Sequence, residues 1–173
     1  KDTIISRLRD NEINCHFAIT ATTRKQRSEE IHGKHYFFYT KQIFTRMINN
    51  GDFIEWAEVY GNLYGVPKRE LIEGHASGID VIVKTDVQGA MTIKEKMADV
   101  LLIFLQPPTI DSLIDRLSGR MTESTNDRAL RLHTARNEIE QSLHFDYVVT
   151  NYDGEIDRTV GEIANIINTK RTI

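Results

Sequence analysis

Short apolar strands alternate with amphipathic helices along this chain, and this alternation restricts the fold more than any other feature. The segment from Val100 to Leu105 is wholly apolar, and Tyr147 to Thr150 is rich in β-branched residues. Periodic apolar residues predict helices over residues 109–117 and 156–167. Strands that alternate with helices usually form a parallel sheet covered by helices on both faces. The sequence therefore predicts an α/β fold, with Thr20 to Lys84 inserted as a smaller and more antiparallel lobe.

Helix caps and strand periods predict the remaining elements. Thr40 is a good N-cap for a helix that would end at Asn50 and Gly51, and Pro67 suits the first turn of another helix. The polar segment from Thr20 to Arg27 has no hydrophobic period and is interpreted as a functional loop. Further strands are predicted at Cys15 to Thr20, His35 to Tyr39 and Ile79 to Thr85, and further helices at Asp2 to Asp10 and after Asn126.

The stretch from Phe53 to Gly65 is predicted to be a β-hairpin. Two apolar residues flank Glu55, an alternation typical of a half-buried strand with the carboxylate on the outward side. Gly61 and Asn62 are favourable turn residues. One carboxylate is therefore expected to project from a rigid element.

Composition and charge exclude several classes of function. The 173 residues suffice for one domain with a proper core. A net charge of -3 provides no overall positive field for nucleic acid or anionic membranes. Cys15 is the single cysteine, so no internal disulfide can form, and six scattered histidines make a structural zinc site improbable. This cysteine usage makes a reducing cytoplasm the expected location, and no apolar run is long enough to span a bilayer. Because the first residue is Lys1, further sequence is expected upstream.

A series of short motifs follows a specific order along most of the chain. The motifs are Thr22-Thr23-Arg24, Arg27, Gly33 with Tyr36, Glu55-Trp56-Ala57, Gly61-Asn62, Tyr64-Gly65, Asp86 with Gln88-Gly89, Pro107-Pro108 and Gly119-Arg120. Each is weak alone, but in this order and spacing the chain resembles the guanylate kinase family. The resemblance implies a P-loop core (residues 1–19, 79–119 and 137–173), a mixed α+β GMP-binding lobe (20–78) and a helical lid (120–136).

The resemblance also implies ATP-dependent phosphorylation of GMP and dGMP to GDP and dGDP, in purine nucleotide metabolism. Guanine presents two adjacent hydrogen-bond donors that a single carboxylate can accept, and Glu55 is the candidate acceptor. Asp86 and Thr20 would contact other atoms of the base. Planar guanidinium groups and phenol hydroxyls suit phosphate oxygens. The residues expected at the GMP phosphate are Arg24, Arg27, Tyr36 and Tyr64.

On the ATP side, Lys1 resembles the lysine that ends a phosphate-binding loop. Helix N–H groups at Asp2 and Thr3 would then face the ATP phosphates. The resemblance implies Mg²⁺ bound with ATP, although its protein ligands stay unknown. Lys1, Arg120 and Arg131 are the expected catalytic cations, and Asn151 is a further expected ATP contact. GMP and ATP are the expected partners, with no nucleic acid and no membrane, while the oligomeric state is left open.

Three residues depart from the family pattern. Asp2 stands where the family usually has Ser or Thr, and Val66 replaces a hydroxyl residue expected near guanine. Lys84 occupies a position that is more often Asp, which either adds a cation near the phosphates or alters activity.

Other interpretations remain open at this point. Tyr36 and Tyr64 could pack in the core, and the arginines after Asn126 could form a solvated helix face. A non-catalytic interaction module of guanylate kinase type, or a kinase acting on a phosphorylated sugar, would share much of the pattern. Retention of the cationic residues named above and of the complete stretch from Glu55 to Gly65 favours a nucleotide kinase.

Overall fold

A computed structural model describes residues 1–11, 13–113, 137 and 139–171. The chain divides into two compact units. Lys1–Glu12 and Leu101–Ile173 form one, here called the terminal unit, and Ile13–Val100 forms the other, here called the middle unit. The predicted division into core, GMP-binding lobe and lid uses other boundaries and stays a prediction, and the predicted lid lies outside the described residues.

Strands and helices alternate through the described residues. The strands are β1 (Cys15–Phe17), β2 (Ala21–Thr22), β3 (Phe37–Phe38), β4 (Phe53–Val59), β5 (Asn62–Pro67), β6 (Asp80–Ile82), β7 (Ile103–Gln106) and β8 (Tyr147–Thr150). The helices are α1 (Asp2–Asp10), α2 (Lys41–Asn49), α3 (Lys68–Ala76), α4 (Val87–Lys96) and, at the C-terminal end, α5 (Ile156–Arg171). A 3₁₀ turn spans Gln141–His144, and residues 110–113 are also helical.

The middle unit contains two sheets. Strands β1 and β6 pair in parallel. The second sheet has the order β3-β2-β5-β4, in which β2 and β3 are parallel and the pairs that involve β5 are antiparallel. In the terminal unit β7 and β8 pair in parallel, and α1 packs against α5. The α/β class with parallel strands is confirmed.

The core of the mixed sheet lies between α2 and β4. Phe44 is fully buried and stacks on Phe53 with ring centroids 4.5 Å apart, and Ala21 and Leu63 complete the cluster. The predicted cap of α2 is confirmed, because Thr40 Oγ1 accepts a hydrogen bond from the backbone N–H of Ile43.

Two details of the predicted hairpin were wrong. Its turn is at Tyr60 and Gly61, which have φ values of 49° and 76°, whereas Asn62 already pairs with Val59. A two-residue hairpin turn of this kind needs positive φ at both central positions. The buried and exposed faces of the strand are also the opposite of those predicted: Phe53 and Glu55 are buried and Trp56 is exposed. Stacking of Phe53 on Phe44 determines which face of β4 is internal, and Glu55 shares that face.

Local periodicity predicted some elements better than others. The helix from Asp2 to Asp10 and the strand from Tyr147 to Thr150 are confirmed as α1 and β8. The segment interpreted as a loop from Thr20 to Arg27 contains β2, which pairs with β3 and β5. Among the helices that the structure describes, none has the length and the apolar character needed to cross a membrane.

Candidate functional site

A buried carboxylate in the middle unit is the first feature of the site. Strand β4 carries Glu55, whose residue is only 4% exposed. Thr85 Oγ1 donates a hydrogen bond to Glu55 Oε1 over 3.2 Å. Burial first, and the negative charge of Asp86 second, raise the pKa of Glu55 to about 7, against the opposing effects of Thr85 and Lys96. The carboxyl group of Glu55 is therefore poised to ionise near neutral pH.

The second carboxylate belongs to the first turn of α4. Asp86 is the N-cap of this helix, and its Oδ1 accepts a hydrogen bond of 2.8 Å from the backbone N–H of Gly89. A Cβ atom at Gly89 would lie 2.1 Å from Thr85 Oγ1 and 2.8 Å from Glu55 Oε2. A glycine is therefore required beside Glu55, since any side chain would displace the carboxylate or the threonine.

Cations and phenol rings form a second group in the same unit, here called the tyrosine cluster (Arg24, Tyr36, Tyr64 and Lys84). The guanidinium carbon of Arg24 lies 5.5 Å from the centroid of the Tyr36 ring, and the rings of Tyr36 and Tyr64 meet edge to face at 6.3 Å. Lys84 Nζ donates to Tyr36 Oη over 3.0 Å and lies 4.3 Å from the same ring centroid. Two cations and two phenol groups are therefore concentrated in one place.

Glu30 holds Arg24 in position. Its carboxylate accepts two hydrogen bonds from the Arg24 guanidinium, of 2.6 and 3.1 Å, and a third from the backbone N–H of Arg27 at 2.8 Å. The hydrogen bond with Glu30 is the largest effect that raises the pKa of Arg24, and Tyr64 adds to it. The guanidinium is thereby oriented, whereas the Arg27 residue is exposed.

Consecutive residues join the carboxylate to the tyrosine cluster. Lys84 contacts Tyr36, and the next residue, Thr85, contacts Glu55. Thr20, which is 7% exposed, donates its hydroxyl proton to the Lys84 carbonyl over 3.2 Å. The structure therefore brings together the residues predicted around GMP. Arg27 shares the Glu30 carboxylate with Arg24 through its backbone N–H, and its side chain is exposed. The hydroxyl of Thr20 is engaged with the backbone and is not turned toward a ligand.

Two residues of this site were missed by sequence reasoning. Thr85 had no assigned part, and Gly89 was noted only within a motif. The signal available for both was the N-cap Asp86 between them, because capping residues fix the geometry of their neighbours. Their closeness to Glu55 depends on long-range packing and has no local signature.

The described residues among those predicted for ATP, Lys1, Asp2, Thr3 and Asn151, lie in the terminal unit. Lys1 precedes α1, and its carbonyl accepts the first helical hydrogen bond from Ile5 at 3.0 Å. Asp2 and Thr3 are exposed in the first turn. Asn151 follows β8, with its Oδ1 3.4 Å from Thr159 Oγ1. Arg120 and Arg131 lie outside the described residues.

The described residues offer no preformed metal cluster, because no three or more His, Cys, Asp or Glu side chains among them are grouped to hold an ion. His32 Nδ1 accepts from the backbone N–H of Phe38, and His35 Nδ1 accepts from that of Ile31. These two histidines therefore stabilise the loop before β3.

Comparisons with known proteins identify the family to which the chain is similar. The family model described as guanylate kinase matches residues 1–170. The chain is 37% identical to "Guanylate kinase 2, chloroplastic/mitochondrial" of Oryza sativa subsp. japonica, with 99% of this chain aligned to 60% of that protein. It is 39% identical to the guanylate kinase of Syntrophomonas wolfei, with 99% of this chain aligned to 87% of the relative.

A solved structure is also similar. The crystal structure of guanylate kinase from Anaplasma phagocytophilum superposes with a TM-score of 0.80 at 32% identity, covering 98% of this chain and 81% of that one. None of these relatives supports the interaction-module or sugar-kinase alternatives. The chain therefore belongs to the guanylate kinase family of nucleotide-binding phosphotransferases.

Proposed function

We propose that this chain transfers the γ-phosphoryl group of ATP to GMP or dGMP. An oxygen of the monophosphate forms a bond to the γ-phosphorus, the bond from that phosphorus to the β,γ-bridging oxygen breaks, and the products are GDP or dGDP and ADP. One observation carries the proposal: the adjacent residues Lys84 and Thr85 connect a buried carboxylate to the cations and phenol groups of the tyrosine cluster. A purine monophosphate has a base with two donors at one end and an anion at the other.

The guanine end is assigned to Glu55, Asp86 and Thr20. When ionised, Glu55 accepts hydrogen bonds from the N1–H and the 2-amino group of guanine. Adenine has no matching pair of donors, so it would leave a buried carboxylate unsatisfied. Sites of this kind reject the wrong ligand by factors on the order of 10⁴. Thr20 can donate to guanine O6 only if its hydroxyl rotates away from the Lys84 carbonyl.

The phosphate end is assigned to Arg24, Arg27, Tyr36 and Tyr64. Arg24 is already oriented by Glu30 and lies against Tyr36, so few rotamers need to be ordered when the anion binds. Arg27 is exposed, and we expect its side chain to reach the phosphate only in the complex. Bidentate guanidinium contacts and phenol donors then position the attacking oxygen.

The ATP side is assigned to Lys1, Asp2, Thr3 and Asn151, with Arg120 and Arg131 as the expected lid cations. Mg²⁺ is usually held by a few oxygen ligands together with the nucleotide phosphates. The carboxylate of Asp2 and the hydroxyl of Thr3 fit that requirement, since both are exposed oxygen donors in the first turn of α1. When bound, Mg²⁺ supplies neutralisation of phosphate charge. A cytoplasmic location and a role in purine nucleotide metabolism complete the proposal.

A coupled assay of ADP production tests this function. We expect turnover with GMP and little with AMP. Glu55→Ala should remove the preference for GMP over AMP, because the acceptor of the guanine donors is lost. Glu58→Ala is the matched control, since Glu58 is exposed on the same strand. Equal discrimination by the Glu55 variant and the original chain would contradict the assignment, and absence of GMP-dependent ADP production would contradict the function itself.

A further inference from the structure

Lys84 occupies an unusual place in the site. It follows β6 in the chain, at a position where the family pattern leads one to expect a carboxylate. Its ammonium group nevertheless reaches the phosphate end of the proposed site, where it donates to Tyr36 Oη over 3.0 Å. The change of an expected Asp to Lys makes the local charge more positive by two units, at a point next to Arg24 and Tyr36.

The hydrogen bond from Lys84 determines the hydrogen-bonding role of the Tyr36 hydroxyl. An ammonium group has no lone pair, so in this pair Lys84 is the donor and the phenol oxygen is the acceptor. The hydroxyl proton of Tyr36 must therefore be directed to another acceptor. A phenol that already accepts a charge-assisted hydrogen bond is also a stronger donor, because successive hydrogen bonds polarise one another. Tyr36 is thus prepared to donate to an anion.

The charges around Tyr36 favour the same ligand. The Arg24 guanidinium and the Lys84 ammonium lie 5.5 Å and 4.3 Å from the centroid of one ring. Like charges around one side chain repel each other, and a dianion bound beside them attracts both. Glu30 partly balances Arg24 and at the same time fixes its direction. A phosphate monoester fits this arrangement better than a neutral group would.

We infer that Lys84 is an additional phosphate-binding residue of the GMP site, which attracts the monophosphate with its own charge and prepares Tyr36 to donate to it. This inference rests on the proposed function. It assigns to Lys84 a contribution to capture of GMP, with no contribution to ATP binding. The carbonyl of the same residue accepts from Thr20, so the backbone of Lys84 also stays fixed while its side chain engages the anion.

Steady-state kinetics of Lys84→Met and Lys84→Arg test the inference. We expect Lys84→Met to raise the KM for GMP about tenfold with KM for ATP unchanged within about twofold, the loss of one charge-assisted contact being about 1.4 kcal/mol. Lys84→Arg should restore most of the affinity because it keeps the charge. Lys41→Met is the control, since Lys41 is an exposed residue of α2 in the same unit. Thermal melts verify that all variants fold.

Two further measurements separate phosphate binding from a structural role. Inorganic phosphate should raise the melting temperature of the original chain and raise that of Lys84→Met less. In a cycle with Tyr36→Phe, the double variant should lose less GMP affinity than the sum of the two single losses, because the Lys84–Tyr36 hydrogen bond is removed only once.

Unchanged KM for GMP in Lys84→Met would overturn the inference, as would equal losses for GMP and ATP or failure of Lys84→Arg to rescue. Each of these results leaves GMP-dependent turnover intact. Failure of the proposed function is a different result, in which the original chain itself produces no ADP with GMP. In that event GMP binding by Lys84→Met, measured by calorimetry, decides the inference, which is rejected if the affinity matches that of the original chain.

Discussion

The environment of Glu55 disfavours the charged form of its side chain. Glu55 is buried on the inner face of β4, beside a second carboxylate and with one hydroxyl donor. Burial of a carboxylate favours its neutral form, whereas guanine requires the charged form as an acceptor. Hydrogen bonds from the two guanine donors to the carboxylate oxygens would offset the desolvation free energy of the charged form.

The KM for GMP should depend on pH near neutrality. Because the pKa of Glu55 is raised to about 7, a growing fraction of the free protein carries a neutral carboxyl as pH falls below that value. We expect the KM for GMP to rise by up to about tenfold per pH unit below about pH 7. Kinetics between about pH 5.5 and 8.5 measure this.

The control for the pH dependence is Glu55→Gln. The second ionisation of the GMP phosphate, near pH 6, also changes binding. Any slope that persists in the Gln variant reports that phosphate, and the difference between the two profiles reports Glu55. Identical profiles for the two proteins would show that Glu55 does not titrate in this range.

Glu55→Gln should also stabilise the free protein at alkaline pH. The folded pKa, about 7, lies above the ordinary value of 4.5, so the folded state binds the proton more tightly than the unfolded state. Stability from this group is complete below about pH 4.5 and is lost as pH rises through about 7. The lost free energy of unfolding is on the order of 2 to 3 kcal/mol.

Thermal melts at about pH 5 and pH 8 test this prediction. The variant, which does not titrate, should exceed the original chain in melting temperature by more at pH 8 than at pH 5. A gap that narrows as pH rises would contradict the assigned direction of the pKa shift.

At the scale of elements, the start of α4 and strand β4 form one unit of structure. Asp86 caps the helix, and Gly89 one turn later leaves room for the Glu55 carboxylate. The start of the helix thereby places the negative charge of Asp86 near Glu55 and, at Gly89, leaves room for the Glu55 side chain. Packing between α4 and β4 places the helix N-terminus against the strand that carries Glu55.

Gly89→Ala should impair GMP binding and stability together. Its Cβ would meet Thr85 Oγ1 at 2.1 Å and Glu55 Oε2 at 2.8 Å, distances that force these groups to move. We expect a loss of about 1 to 3 kcal/mol in the free energy of unfolding and a higher KM for GMP. Denaturant unfolding and steady-state kinetics measure the two effects.

Gly161→Ala is the matched control for Gly89→Ala. Gly161 lies within α5, and a Cβ there meets nothing within 4 Å. Alanine in a helix interior is favoured over glycine, so this variant should gain about 0.5 to 1 kcal/mol. A similar gain at position 89 would refute the close contact with Glu55.

At the scale of the whole molecule, the residues assigned to GMP belong to Ile13–Val100, and the described residues assigned to ATP belong to the terminal unit. Ligand binding stabilises the folded state by about 2.7 kcal/mol at a concentration of 100 times Kd. We expect GMP alone to slow amide hydrogen exchange most in β4, β5 and the first turn of α4. Mass spectrometry of exchanged peptides measures this, and equal slowing throughout α5 would contradict a GMP site confined to the middle unit.

Sequence patterns predicted the elements whose determinants are local. In α1, at the Thr40 cap and in β8, the residues that determine each element lie within a few positions of that element in the chain. Local patterns could not predict which face of β4 is buried, because a contact between Phe44 and Phe53 determines it. Hydrophobicity alone suggested the opposite face, since Trp56 is more apolar than Glu55.

The site shows the same division. Resemblance identified Glu55, Asp86 and the phosphate-binding candidates by residue type and order. It provided no account of Thr85 or of the reach of Lys84, because both depend on how β6 lies against β1 and on where the following residues lead. Residue types can be inferred from motifs, whereas contacts between distant segments require the folded chain.

The connection between Lys84 and Thr85 constrains how this site could change. One peptide unit, about 3.8 Å long, separates the residue that touches Tyr36 from the residue that touches Glu55. An insertion or deletion there would alter the spacing of both recognition ends at once. Binding of a shorter acceptor, such as a nucleoside, or of a longer one, such as a nucleoside diphosphate, would therefore require remodelling of this segment. Exchange of side chains at one end alone would not suffice.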